Sequence, residues 1–200
     1  MTVVQLHLTE YDDNAWLWVP HIWPHGDHPD AATWADTVSR EIAARPGSYT
    51  RGRKPLRKDL VALAAGESGE TSRWTIAYAP EIIAGQAALV ARVKVSDVDG
   101  PYASLEEFMQ LDPEGLIAPP TVEPFTSEHL GEGIKTAKRK AMPNRSIAAV
   151  HAYGWEYEGV YLSLYMAGLD LGRMLAIDPA FDGLARSMSL TVTRDAASDA

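Results

Sequence analysis

Apolar and polar positions alternate, or recur every three to four residues, in blocks along the chain, and each block predicts an element. VVQLHL (3–8) and AWLWV (15–19) are rich in strand-forming residues and flank the turn-prone Tyr11-Asp12-Asp13-Asn14, which predicts an opening hairpin. PHIWPHGDHPD (20–30) holds three Pro and one Gly and reads as a loop. Asp30 is placed to cap a helix over 31–45, where Trp34, Val38 and Ile42 fall on one face. Pro55 and Gly66 bracket a second helix over 55–65, with a strand over 59–65 as the alternative reading. From Arg73 the period shortens to two. RWTIAYA and QAALVARVKVSDV read as strands, and Ser104 with Glu107 is a capping box opening a short helix to Gln110. Strands follow at 121–127, 132–142, 146–156 and 159–168, the last two joined tightly at Tyr157-Glu158-Gly159. Asp178 and Pro179 open a closing helix carrying Phe181, Leu184, Ala185 and Met188. The expected fold class is α+β, with a central antiparallel β-sheet and flanking helices in a single domain over 1–193 and a frayed tail at 194–200.

Composition narrows the chemistry. The chain has 200 residues and no Cys, which removes disulfides, thiolate zinc sites, iron–sulfur clusters and cysteine nucleophiles. A net charge of −9 argues against general affinity for nucleic acid or for anionic lipid. The basic residues are nevertheless concentrated: 51–58 and 135–145 hold ten of the 18 Lys and Arg and no acid. These runs read either as one anion-binding face or as two solvated edges. The N-terminal stretch lacks the basic and long apolar regions of a signal peptide, and no window reaches the ~20 apolar residues of a membrane span, so the expected location is cytoplasmic with no membrane partner.

His21, His25 and His28, with Asp27 between them, are the candidate metal ligands, because imidazole and carboxylate suit zinc and other first-row divalent ions. Their spacing matches no regular element, and the same loop reads as a lid in which Trp16, Trp18, Trp23 and the imidazoles pack with one polar edge wet. Trp16, Trp18 and Trp23 are also the candidate surface for a protein partner or a second copy of the chain. On the long strands His151, Tyr153 and Trp155 share a face, and Tyr161 and Tyr165 alternate on the neighbour. These five are the candidate lining for a small apolar ligand, set against plain aromatic packing under a helix. Gly131 to Thr136 lacks the Lys position and following helix of a phosphate loop, and Ser68 lacks the setting of a nucleophile elbow. No catalytic set, nucleic-acid module or cofactor fingerprint is present, so the expected cofactor complement is none.

In order and spacing of elements, residues 70–190 resemble the PsbP-like α+β family of photosystem accessory subunits, Ran-binding proteins and small bacterial lipoproteins. The resemblance rests on two strands, the helix at SLEEFMQL, the strand after HLGEG, the hairpin AAVHAYGWEYEGVYLSLYMAG and the helix IDPAFDGLARSM. It implies a protein that binds partners or small ligands and shares no catalytic site. The chain departs from the lipoprotein members in having no signal peptide and no lipidated Cys. The expected function is a non-enzymatic binding or accessory role. The alternative is a metal-dependent hydrolase built on His21, His25 and His28.

Overall fold

A computed structural model describes residues 2–66, 73–112 and 115–194. Ser68 and all of the 194–200 tail beyond Arg194 lie outside the described residues. The architecture is α+β, its strands antiparallel, and the chain divides into two compact units, Asp12–Lys94 and Met1–Tyr11 with Val95–Ala200.

In the first unit β2 (Trp16–Val19) pairs with β3 (Trp74–Tyr78), which pairs with the Leu89–Val93 part of β4 (Leu89–Asp97). Helices α1 (Ala31–Ala43) and α2 (Arg53–Ala65) pack together through Trp34, Ala35, Ile42, Leu56 and Leu60, in one cluster with Val19 and Ala77 of the strands. The Asp30 carboxylate accepts the Thr33 N–H at 2.7 Å, the expected cap of α1. Of the basic run at 51–58, Arg53 and Arg57 turn onto Asp36 of α1, at 2.5 and 3.3 Å.

The second unit is a meander, with β5 (Thr121–Ser127), β6 (Gly131–Ala141), β7 (Ile147–Tyr157) and β8 (Val160–Gly168) in spatial order. The β7–β8 turn is tight because Glu158 and Gly159 both take positive φ, 47° and 71°, the twist that suits a two-residue hairpin. Helix α3 (Leu105–Phe108) lies on one side of this sheet, where Phe108 and Met109 cluster with Ala152 and Tyr161. Gly154 admits Met109 there, since a Cβ on it would come within 2.7 Å of the sulfur. The amphipathic α5 (Asp178–Ser187) buries Phe181 against the Tyr153 ring of the other face.

Two expectations are corrected. The opening hairpin does not form: β1 (Thr2–Leu8) pairs along its whole length with β9 (Met188–Arg194), and β2 pairs with β3 instead. Asp12 to Asn14 make a helical turn, with the Ala15 and Trp16 N–H groups both donating to the Asp12 carbonyl, rather than a hairpin loop. The closing helix stops at Ser187, because Met188, Leu190 and Val192 alternate and the backbone turns extended at Met188. A short helix, α4 (Leu171–Ala176), adds itself between β8 and α5, capped by Asp170 on the Arg173 N–H.

Candidate functional site

Register decides which side chains meet on the α5 face of the meander. Glu123 of β5 stands opposite Lys135 of β6, Lys135 opposite Tyr153 of β7, and Ala137 opposite His151. Alternation therefore puts Lys135, His151, Tyr153 and Trp155 on one face. Gly133, opposite Trp155, leaves room for the indole, since a Cβ there would lie 2.5 Å from the ring. Phe125, Tyr153, Trp155 and Phe181 form the aromatic floor, with ring centroids 4.6 to 6.1 Å apart along the chain of contacts.

Helix α5 lowers two carboxylates, one turn apart, onto this floor. Lys135 Nζ donates to Asp178 Oδ2 at 2.6 Å and to Asp182 Oδ1 at 2.8 Å. Asp182 Oδ1 also accepts from the Tyr153 hydroxyl. The other oxygen of Asp178 meets His151 Nδ1 at 3.0 Å. Burial tends to discharge Lys135, but the bonds and charges of Asp178 and Asp182 outweigh it and raise its pKa. Burial likewise tends to protonate Asp178, and Lys135 and His151 outweigh that, holding the carboxyl below its ordinary value. Burial, then the hydrogen bond to the Asp182 carboxylate, push the Tyr153 phenol well above its ordinary value. An ionised Asp178 carboxylate can only accept, so His151 Nδ1 donates to it.

Beyond Asp178 the helix no longer covers the sheet, and a cleft of about 410 Å³ opens. Its walls are Ala137, Arg139 and Ala149 of the strands, Thr121 and Pro119 at the edge, and Leu171 and Leu175 of α4. That volume lies within the ~300–1,000 Å³ usual for small-molecule sites. No family model and no curated protein matches the chain. Among solved structures, it is similar to LpqN of Mycobacterium tuberculosis, a protein involved in cell envelope biogenesis. The match has 12% identity and a TM-score of 0.47, and covers 96% of this chain and 84% of that one.

The other candidate residues are distributed as follows. Of the five expected to line a ligand site, His151 reaches the cleft, while Tyr153 and Trp155 are fully buried beneath α5. Tyr161 and Tyr165 fall on the α3 face, where Tyr161 stacks on Phe108 at 5.8 Å. In the Pro-rich loop, His25 and His28 exchange backbone hydrogen bonds at 2.9 and 3.0 Å. Among the described residues, neither ring nitrogen of His21 has a hydrogen-bond partner, and both are buried. Among the described residues no group of three or more His, Asp or Glu is gathered as a metal site would need. Trp16 is buried against Tyr78 at 4.8 Å, Trp23 lies 6.3 Å from Trp34, and Trp18 is half-buried.

The partners that matter most are set by docking and register, not by local pattern. Asp178 reads as a helix cap, yet its carboxylate is spent on Lys135 and His151, and Ile177 takes the cap position. Lys135 and Arg139 read only as part of a basic run. The usable signal is the two-residue period: counting back from a β6–β7 turn at 142–146 sets Ala137 against His151 and Lys135 against Tyr153.

Proposed function

We propose that the chain is a non-catalytic binding protein whose ligand seat is the cleft between α4 and strands β5 to β7. The observation that supports this reading best is the state of the charged groups at its inner end. Lys135 is shared by two carboxylates, and His151 is held by one of them. A His–Asp pair activates a protein hydroxyl as nucleophile only when that hydroxyl lies within reach of the second ring nitrogen. Of the two lining hydroxyls, Thr136 donates to the Ala152 carbonyl, and no hydroxyl is bonded to His151 among the described residues. The network thus ties α5 to the sheet and supplies one polar wall. Ala137, Ala149, Leu171 and Leu175 supply the apolar ones. A small molecule with an apolar body and one polar end fits that division.

Titration with anilinonaphthalene sulfonate, which has this shape, tests the reading. The expected result is saturable fluorescence with one site per chain, weakened ~10-fold by Leu175→Asp, the loss of one good apolar contact, and abolished by Ala149→Trp, which fills the cleft. Fluorescence that does not saturate, or that Ala149→Trp leaves intact, would overturn it. So would turnover of nitrophenyl acetate that disappears in His151→Ala.

A further inference from the structure

We infer that the open end of the second unit docks on an anionic membrane surface. The inference goes beyond the ligand seat and does not require it to be filled. It begins with where the exposed apolar side chains lie. Ile117, Met142, Ile147, Leu169, Leu171 and Leu175 are each between 36% and 67% exposed. Backbone pairing gathers them at one end of the meander. The Ile117 N–H donates to the Arg139 carbonyl, and Leu116 bridges Lys140, so Ile117 flanks the end of β6. Met142 and Ile147 sit on either side of the β6–β7 turn, closed by the Met142 N–H on the Ser146 carbonyl. Gly168 pairs with Ala149, which sets Leu169 beside the start of β7. Leu171 and Leu175 complete the group, sharing the cleft with Ala149 and Arg139. Scattered apolar residues on a surface need no explanation, but six on one edge do.

The charge on the same segments names the occupant. Residues 139–149 and 169–176 contain Arg139, Lys140, Arg145 and Arg173 against a single acid, Asp170, so they carry 4 − 1 = +3 on a chain of net −9, while the Lys138 ammonium is turned onto the Met109 and Gln110 carbonyls. Asp170 is itself committed to the Arg173 N–H as a helix cap. Arg145 is held at the tip of the β6–β7 turn with φ of 65°, in the left-handed region where a non-Gly residue is strained. A second copy of the chain meeting this edge face to face would set +3 against +3. A nucleic acid would take the charge and leave the leucines without a use. A bilayer with anionic headgroups takes both, since apolar side chains enter the headgroup boundary while Lys and Arg stay at the surface.

Co-sedimentation with vesicles tests the inference on the whole chain, using phosphatidylcholine alone and an equimolar mixture with phosphatidylglycerol. The wild type should bind the mixed vesicles, and added salt should release it. The charge-reversed Arg139→Glu/Arg145→Glu and the apolar-edge Ile147→Asp/Leu175→Asp variants should each lose ~10-fold or more in partitioning. Arg51→Glu, on the other basic run, should bind as wild type. All these positions are exposed, and circular dichroism confirms that each variant is folded. Absent binding, equal binding to the two vesicle types, or undiminished binding by either double variant would overturn the inference. Dye titration without vesicles reads the cleft separately, so the two proposals can fail independently.

Discussion

His151 Nδ1 lies 3.0 Å from one oxygen of Asp178, whose other oxygen takes the Lys135 ammonium at 2.6 Å. One carboxylate on α5 thereby joins two neighbouring strands, and the helix is held by charge at its first turn and by Phe181 at its second. Division of labour of this kind makes the two contributions separable by pH.

Asp178→Asn keeps the shape and removes the charge. Solvent reaches both partners, so the loss should be held to ~1–2 kcal/mol in urea denaturation near neutral pH. The folded-state pKa of Asp178 lies below the unfolded value of about 3.9, so its contribution is present above that value and is lost as pH falls through the folded one. The wild type should therefore lose stability in that acid window more steeply than the variant. Parallel curves for the two proteins there would show that the carboxylate is not coupled to folding.

Phe181→Ala should cost about 3–5 kcal/mol, the range for truncating a fully buried Phe in a core that cannot collapse around the gap. Its ring meets Tyr153 at 5.1 Å, edge to face, with Leu184 and Ala185 buried on the same helix. A change in the denaturation midpoint worth less than about 1 kcal/mol would mean that α5 is peripheral to the cooperative unit.

Much of the second unit was legible because its signals are local. The period of two over 121–168 and the Glu158-Gly159 turn place four strands within a residue or two of their observed ends. What escaped was long-range pairing. VVQLHL and AWLWV look like two arms of a hairpin, and nothing between 2 and 19 shows that the first arm waits for residues 188–194. Met188 continues the apolar face of the helix before it as readily as it begins the alternation after it, so local pattern leaves β9 ambiguous. The candidate site suffered likewise. His151 was within reach because its own strand is periodic, whereas Lys135 and Asp178 join it only through register and helix docking. Alternation on the neighbouring strand groups Tyr161 and Tyr165 with it, but the β7–β8 pairing sets Tyr165 opposite Ala152 and Tyr161 opposite Glu156, on the other face.

His21 carries a second pH dependence, located in the first unit. Burial lowers its pKa, the Ala64 and Gly66 carbonyls temper the effect without completing a hydrogen bond, and the Arg92 charge adds to it. A His whose folded pKa is depressed binds its proton more readily when unfolded. Stability should thus be full above the unfolded value of about 6.5 and fall as pH drops below it. His21→Leu removes the titration and should flatten stability between mildly acidic and neutral pH. If the variant keeps the wild-type slope, another group is responsible.

Tyr153 should be the last tyrosine to ionise. Its ring is fully buried between Phe125, Trp155 and Phe181, and its hydroxyl donates to a carboxylate that already holds Lys135. Ionising it in place would bury a phenolate against Asp182, so burial first and that hydrogen bond second keep the proton on. Because the folded pKa is raised above the unfolded value of about 10, the group contributes stability that is full below that value and is lost as pH rises above it. In an ultraviolet titration of phenolate absorbance, the native protein should show one of its eight tyrosines withheld until alkaline unfolding. Tyr153→Phe should abolish that late step while leaving the earlier ones, and should cost ~1 kcal/mol at neutral pH for the hydrogen bond. A late step that survives in Tyr153→Phe would assign it to a different ring.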